Sequence, residues 1–581
     1  MAANTQQLTI LAQDPAVRVG GALVLAKVEV PFELIAAGPM GYRVKVVDFD
    51  STTHQLYEPF KYELDESGKV VDPFALPPGK KLTMAERVKF DASLLANPNF
   101  HAQHVYAIVM RTLARFEQAL GRRVAWGFDG HQLHVAPHAF CEANAFYSEQ
   151  DRALLFGYFE GKSGKAVFTC LSHDIVAHET THALLDGLRD RYTDDSGPDQ
   201  SGFHEGFSDV VALLSVLSLR EIVELALVKE AVQIKTQGGI RLLDATKLTE
   251  KAISESILFG LGKEFGQQLE GVRANALRRS LNLKPSRHYL NDAKYDEPHD
   301  RGEVFAAAVL RSFLRLWLIR IGELGKFNER YCNLDMVIDE GAKIADHLLT
   351  IAIRALDYCP PVDFEFGDFL AALLTVDREV VPDDSRFSYR TVIRAVFDEY
   401  GIAPPAAETD QDGCWNSFVP DREIVYSKTN FESMLRDKEE VFRFVWENRF
   451  ELKIDERAYT QVISVRPSTR FGPDGFLLRE TVCEYVQILE LFGAECKAVL
   501  GFERPPGMAT TQRFRAYGGS TLVFDQYGRI KYSIRRRLDD VDRQSRRLTF
   551  LWENGFLENA ASMKAPFASI HSVRASNTDG E

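Results

Sequence analysis

The chain has 581 residues, of which 45% are hydrophobic and 26% are charged, and its formal net charge is −14. This composition predicts a folded protein with several cores and excludes a mainly disordered or fibrous chain. Nucleic-acid and anionic-membrane binders need a basic face, so the acidic balance favours neither function. We interpret the one basic run near the C-terminus, Arg535 to Arg547, as a solvated face.

The cysteines and the N-terminal segment indicate a cellular compartment. Seven cysteines are scattered without a CxxC pair, which predicts reduced thiols rather than a disulfide framework. The first residues lack a basic start followed by an apolar region, so we expect no secretory signal. The longest apolar runs, such as residues 210–219, are too short to span a bilayer. We therefore expect a cytoplasmic protein without a membrane span.

The first part of the chain predicts a β-rich region, then a helix and further strands. Short β-like runs are separated by Gly, Pro and Asp up to about residue 98, and apolar residues then recur at helical spacing. The predicted segments are strands at residues 23–30, 42–49, 133–135 and 154–159 and a helix at residues 100–120.

The chain from residue 172 to about residue 400 is predicted to be mainly helical. A segment with Gly and Pro at residues 401–407 is the candidate linker to a mixed α+β region. The predicted helices are residues 210–219, 246–260, 303–321, 336–356, 389–399 and 432–446, and the later strands are residues 461–465, 520–524 and 529–534, the last two forming a hairpin.

The segment SHDIVAHETTHALLDGL carries the clearest chemical pattern, H-E-x-x-H. One helical turn separates His178 from His182, so both imidazoles project from one face and can bind a single ion. Glu179 lies beside them, where its carboxylate can take a proton from the attacking water. The alternative is a helix that carries two surface histidines.

A second segment, FHEGFSD, supplies a third ligand. Zinc needs three protein ligands and an open position in a catalytic site, and Glu205 follows His182 by 23 residues. Asp209 lies one turn beyond Glu205 and is placed to accept the outer N–H of a ligating histidine. The alternative for Glu205 is a solvated carboxylate at a helix N-terminus.

These two segments together resemble the gluzincin zinc metallopeptidases, in particular the thermolysin-like group. The upstream order of NAFY, a strand and then the HETTH helix is similar to that group as well. The resemblance covers residues 100 to about 318. It implies one catalytic zinc ion, held by His178, His182 and Glu205, and Glu179 as the general base.

The resemblance also implies a fold and a domain division. The fold class is α+β, with a thermolysin-like core in which the active-site helix lies between a β-rich N-terminal lobe and a helical C-terminal lobe. An extra β-rich region precedes this core, and an α+β domain of unknown role follows it. The expected divisions are residues 1–98, 99–187, 188–402 and 403–581.

Further site residues follow from the family by position. Asn144 and Ala145 match residues that contact a peptide substrate, and His299, in PHDRG, matches a histidine that stabilises the tetrahedral intermediate. Tyr192 is the other candidate oxyanion donor. Arg278, in ALRRS, matches an arginine that could hold the substrate carbonyl.

Two family features are less complete here. Asp174 matches one calcium-binding carboxylate and is also a candidate for supporting the metal ligands from outside the ligand set, but Val216 stands where another carboxylate should be. Calcium dependence is therefore not supported. The other histidines near the motif are interpreted as structural, because HQLHVAPH alternates like a strand; they are His131, His134, His138 and His173.

The predicted function is hydrolysis of peptide bonds by a zinc metalloendopeptidase acting on a peptide or protein substrate. A gluzincin aminopeptidase is the near alternative, although the GxMEN motif of its best-known branch is absent from this sequence. The alternative from another class is a zinc-bound, catalytically weak binding or regulatory protein. The C-terminal domain could then bind a partner or cover the cleft.

Overall fold

The computed structural model of the chain describes residues 5–79, 82–161, 164–228, 234–237, 239–255, 280, 282–471, 475 and 477–557. These residues form a mixed α+β structure, as the sequence predicts. Within them, no helix is both long enough and apolar enough to cross a membrane.

The strands of the described residues are, in chain order, β1 (Thr5–Leu11), β2 (Arg18–Val19), β3 (Ala22–Leu23), β4 (Leu25–Pro31), β5 (Val44–Val46), β6 (Phe49–Asp50), β7 (Gln55–Leu56), β8 (Leu133–Phe140), β9 (Ala145–Ser148), β10 (Ala153–Glu160), β11 (Ala166–Phe168), β12 (Ile234–Gln237), β13 (Ile240–Asp244), β14 (Tyr331–Asn333), β15 (Tyr459–Phe471), β16 (Leu477–Phe492), β17 (Arg513–Phe524) and β18 (Ile530–Arg536).

The α-helices of that same part of the chain are, in chain order, α1 (Met84–Leu95), α2 (Pro98–Leu120), α3 (His173–Leu188), α4 (Pro198–Leu217), α5 (Arg220–Val228), α6 (Pro298–Glu323), α7 (Leu334–Ala355), α8 (Phe366–Val380), α9 (Tyr389–Glu399), α10 (Phe431–Met434), α11 (Lys438–Glu447) and α12 (Val541–Glu553).

Two larger sheets flank the helices. The first has the order β11-β10-β8-β5, with β9 paired to β10, and it joins parallel and antiparallel strands. The second is an antiparallel meander in the order β15-β16-β17-β18. A separate antiparallel pair, β1 and β4, precedes the first sheet in the chain.

Helix α2 packs between the N-terminal strands and the helices that follow. Asn97 caps its start by accepting a hydrogen bond from the Asn99 N–H, and Pro98 occupies the first turn, where its missing N–H costs nothing. Gly121 ends the helix in the left-handed region, with φ 66°. Sixteen of its side chains are buried. A single apolar core therefore includes both the N-terminal strands and the helical region.

The second sheet, β15 to β18, is here called the C-terminal sheet. It has apolar clusters of its own and also contacts the helical region through buried ion pairs. Arg189, directly after α3, pairs with Glu484 on β16. Arg536 pairs with Asp368 on α8, and Arg547 on α12 lies 2.9 Å from Asp363. Since Arg536 and Arg547 are 3% and 7% exposed, the interpretation of this basic run as a solvated face is wrong for both.

Most predicted helices are present but longer, because their capped first turns are polar and escape an apolar pattern. Residues 256–260 of the helix predicted at residues 246–260 lie outside the described residues. The segment at residues 210–219 is the second half of α4, and the segment at residues 303–321 lies inside α6. The predicted helix at residues 432–446 is instead two helices, α10 and α11, because Asp437 caps the start of α11. The predicted C-terminal hairpin is confirmed as β17 and β18.

Candidate metal centre

The H-E-x-x-H segment lies in the middle of α3, as predicted. Its first turn carries Asp174, which favours a helix N-terminus. His178, Glu179 and His182 are 3%, 0% and 0% exposed. The two imidazoles lie on one face of the helix, with their Nε2 atoms 2.7 Å apart. The surface-helix alternative is therefore wrong for these residues.

Glu205 completes a three-residue group, here called the α3–α4 cluster, with His178 and His182. It lies inside α4 and is 4% exposed, so it is not a solvated carboxylate at a helix N-terminus. Its Oε2 is 3.6 Å from His178 Nε2, and its Oε1 is 3.5 Å from His182 Nε2. Three donor atoms from two helices therefore converge on one point.

Polar groups of α4 contact the outer ring nitrogens of both histidines. Asp209 Oδ1 lies 2.8 Å from His178 Nδ1, as the sequence predicts. On the other ring, His182 Nδ1 lies 2.8 Å from His204 Nδ1 and 3.3 Å from Ser208 Oγ. Such outer contacts fix the tautomer and the ring orientation, and they leave both Nε2 atoms directed at the cluster.

A backbone contact between α4 and α6 brings a third histidine to the cluster. A side chain at Gly206 would meet the Gly302 carbonyl oxygen at 2.7 Å, and one at Gly302 would meet the Gly206 nitrogen at 2.7 Å. Only glycine allows so close an approach. As a result, His299 in the first turn of α6 places its Nε2 3.5 Å from Glu205 Oε2.

Glu297 both starts α6 and orients His299. Its Oε2 accepts hydrogen bonds from the His299 and Asp300 backbone N–H groups, and its Oε1 lies 2.7 Å from His299 Nδ1. Burial alone would raise the pKa of this carboxyl, but the bond to His299 and the charge of that ring lower it below the ordinary value. His299 therefore lies between two carboxylates, where an imidazolium can donate from both nitrogens.

The NAFY segment passes directly beside the general-base candidate. The Tyr147 backbone N–H donates to Glu179 Oε2 at 3.1 Å, and the Tyr147 hydroxyl donates to Asp186 at 3.2 Å. Ala145 and Tyr147 are buried in β9, whereas Phe146 and Ser148 are partly exposed. Asn144, just before β9, accepts a hydrogen bond from the Ala145 N–H through its side chain.

Three other predicted residues have different outcomes. The Tyr192 hydroxyl donates to the Pro360 carbonyl oxygen at 2.8 Å, and its role as oxyanion donor stays a prediction. Asp174 is half-buried one turn before His178 and accepts from the Ser172 hydroxyl at 2.7 Å. Burial, and to a smaller extent the Asp209 charge, raises its pKa. Arg278 and its neighbour Arg279 lie outside the described residues.

The α3–α4 cluster fits a zinc ion by donor type and nearly by distance. Two imidazoles and a carboxylate are a common catalytic zinc set, with bonds of about 2.0–2.2 Å. Tetrahedral geometry then places ligand atoms about 3.3–3.6 Å apart, which the two nitrogen–oxygen distances of 3.6 and 3.5 Å match. The two Nε2 atoms, 2.7 Å apart, would need to separate to about this distance to bind one ion.

No protein-family model matches the chain, and no curated protein matches it at a significant level.

Four residues of the site are not predicted from the sequence. His204 and Ser208 contact His182, Glu297 orients His299, and Asp186 holds Tyr147. One signal was available for His204 and Ser208, because they are four residues apart on the helix that carries Glu205. The contact between α4 and α6 has no signal in either segment, because it depends on how two distant helices pack.

Proposed function

We propose that this protein is a zinc-dependent peptidase that cleaves internal peptide bonds. The observation that carries the proposal is the convergence of His178 Nε2, His182 Nε2 and a Glu205 carboxylate oxygen, all mutually within 4.8 Å. Glu179 extends from the same helix as the two histidines. The first sheet precedes α3 and a helical region follows it, an order that supports a thermolysin-like arrangement of lobes.

Each residue has a distinct part in this reaction. A bound zinc ion would supply Lewis acidity toward the scissile carbonyl and would make a coordinated water easier to deprotonate. Glu179 accepts the proton of the attacking water and then delivers a proton to the departing amine. His299, held by Glu297, donates from Nε2 to the oxygen on which negative charge develops.

The strand β9 supports an extended peptide as substrate. It pairs with β10 in the first sheet, and its Tyr147 N–H points to Glu179. A peptide that runs along this strand would pass close to the general base while main-chain hydrogen bonds fix its direction. Asn144 and Ala145, at the start of this strand, are the proposed substrate contacts.

One observation favours a second candidate, a zinc-bound binding or regulatory protein. His178, Glu179, His182 and Glu205 are all at most 4% exposed. A catalytic zinc site keeps one position open for water and substrate, whereas a structural site is closed. Peptide hydrolysis therefore requires a path by which water and substrate reach the cluster. A purely structural zinc ion needs no such path.

Comparison of wild type with Glu179→Gln separates these two functions. The assay measures cleavage of casein and of an N-terminally acetylated peptide library, together with zinc content. We expect the variant to keep its zinc and to lose about 10²–10⁴-fold in rate, because the proton acceptor is removed. Cleavage of acetylated peptides excludes an aminopeptidase, which needs a free terminal amine.

The matched control is Glu221→Gln, the same change at an exposed position on α5, which should leave the rate unchanged. A zinc-loaded wild type without Glu179-dependent cleavage of any peptide would refute the peptidase and favour the binding protein. Cleavage of peptides with free N-termini alone would favour the aminopeptidase.

A further inference from the structure

A second group of metal-ligand side chains lies just before the start of α3. His101 on α2, His138 on β8 and Cys170, in the 3-10 turn Thr169–Leu171, form what we call the Cys170 cluster. His101 Nδ1 lies 2.8 Å from His138 Nε2, and one ligand atom from each of the three residues lies within 4.8 Å of the others. Their exposures are 2%, 2% and 0%.

The outer nitrogen of each histidine faces a group that can only accept. His101 Nε2 lies 2.9 Å from the Leu95 carbonyl oxygen, and His138 Nδ1 lies 2.7 Å from Asp48 Oδ2. These partners place the ring protons on the outer nitrogens. The inner nitrogens, His101 Nδ1 and His138 Nε2, then face each other at 2.8 Å, and either a proton shared between the rings or a metal ion bound by both nitrogens satisfies their lone pairs.

Neighbouring groups hold the His101 and His138 rings in the orientation that a metal ligand needs. Asp48 also accepts the His138 backbone N–H, at 3.0 Å, so the carboxylate is fixed by two contacts and in turn fixes the ring. A carboxylate that orients a ligating histidine is a common arrangement at zinc sites. The Phe168 ring packs on His101 and His138 at 4.9 and 5.2 Å, which limits the access of water.

We propose that His101 Nδ1, His138 Nε2 and Cys170 Sγ bind a second transition-metal ion, with zinc as the best match. A thiolate with two imidazoles selects zinc or copper over magnesium and calcium, which prefer oxygen ligands. The site joins α2, β8 and the turn before α3. A metal ion bound there would hold these three segments together and so stabilise the turn that leads into α3, the helix that carries His178. The proposal does not depend on peptidase activity.

Cobalt reconstitution tests this site independently of the α3–α4 cluster, which has no sulfur ligand. After chelation and addition of Co²⁺, the wild type should show a thiolate-to-cobalt charge-transfer band. Cys170→Ser should abolish the band, and Glu205→Gln should retain it. When the protein is loaded with zinc instead of cobalt, we expect two bound equivalents per wild-type chain. Cys170→Ser and Glu205→Gln should each bind one equivalent.

The matched control is Cys483→Ser, which changes another buried cysteine, on β16, and should retain the band. His138→Gln provides a second variant if Cys170→Ser does not fold, as judged by circular dichroism, and it should lose one zinc equivalent. A folded wild type without the band, or a band that persists in Cys170→Ser, would overturn the proposal.

Discussion

Charged side chains are buried in two regions of the molecule: the interface between the C-terminal sheet and the helical region, and the α3–α4 cluster. The two regions differ in how these charges are balanced. At the interface, Asp357 accepts hydrogen bonds from Arg122 at 2.6 and 2.6 Å and from Arg470 at 2.6 Å; we call these three residues the Asp357 network. In the α3–α4 cluster, two imidazole nitrogens and a carboxylate approach one another. In the network the arginines are balanced by carboxylates of the chain itself, Asp357 and, for Arg470, also Glu480 at 3.1 Å, whereas in our proposal a cation from solution completes the cluster.

The largest expected effect comes from Asp357→Asn in the network. Asp357 is 1% exposed, and its removal leaves Arg122 without its buried counter-charge, whereas Arg470 keeps Glu480 at 3.1 Å. Loss of one partner from a buried ion pair costs about 3–5 kcal/mol, so the free energy of unfolding in urea should fall by that amount. Zinc affinity of the α3–α4 cluster should not change.

The control for that change is Asp421→Asn, which removes the partner of Lys453 at a position with a side chain 76% exposed. Exposed pairs contribute about 0–1 kcal/mol. If Asp357→Asn lowers the free energy of unfolding no more than Asp421→Asn does, the Asp357 network does not stabilise the interface. The two regions would then not differ as described.

His299→Gln tests the cluster as a reaction site. Removal of one oxyanion donor costs about 10²–10³-fold in kcat, and zinc content and KM should change little because His299 is not a ligand. The measurement is steady-state peptide hydrolysis. His288→Gln, a nearby exposed histidine, is the control; an equal loss in both variants would contradict the assigned role.

Asp209→Asn tests how α4 orients His178. Loss of an outer carboxylate lowers metal affinity by about 10–100-fold, which competition with a chromophoric zinc chelator would measure. Asp190→Asn changes an exposed aspartate just after α3 and should leave the affinity intact. An Asp209→Asn variant with wild-type affinity would show that the 2.8 Å contact does not position the ring.

The smallest expected effect is the acid dependence of the network. Burial raises the pKa of Asp357, but Arg122 and Arg470 outweigh it and hold the pKa at about 2, below the ordinary 3.8. A lowered pKa stabilises the fold above the unfolded value and loses this contribution as the pH falls. The contribution is about 2 kcal/mol near neutral pH, and about half of it should be lost at pH 3.

Urea unfolding of the metal-free protein at pH 5 and pH 3 measures this loss, with Asp357→Asn as the reference in which it should be absent. A chelator keeps the metal sites empty at both pH values, so release of a metal ion does not contribute to the measured change. An equal change with pH in both proteins would assign the acid sensitivity to other groups.

The sequence predicts the α3–α4 cluster better than the rest of the site because its chemistry depends on local spacing. His178 and His182 are one helical turn apart, and Glu205 and Asp209 are likewise one turn apart, so each pair is correctly oriented once its helix forms. The contact of Tyr192 with Pro360 could not be predicted from the sequence, because it joins residues far apart in the chain. The Cys170 cluster is equally non-local, since α2, β8 and the turn before α3 each supply one residue.

The contact between Gly206 and Gly302 also has a consequence for motion. Side-chain rotamers exchange in picoseconds to nanoseconds, whereas whole helices shift in microseconds to milliseconds. The spacing of the two backbones that carry Glu205 and His299 is set by their contact, so only the slower movement can change it. Over the lifetime of a bond-breaking event these two backbones therefore keep one fixed separation, and any opening between the two helices has to occur before or after that event.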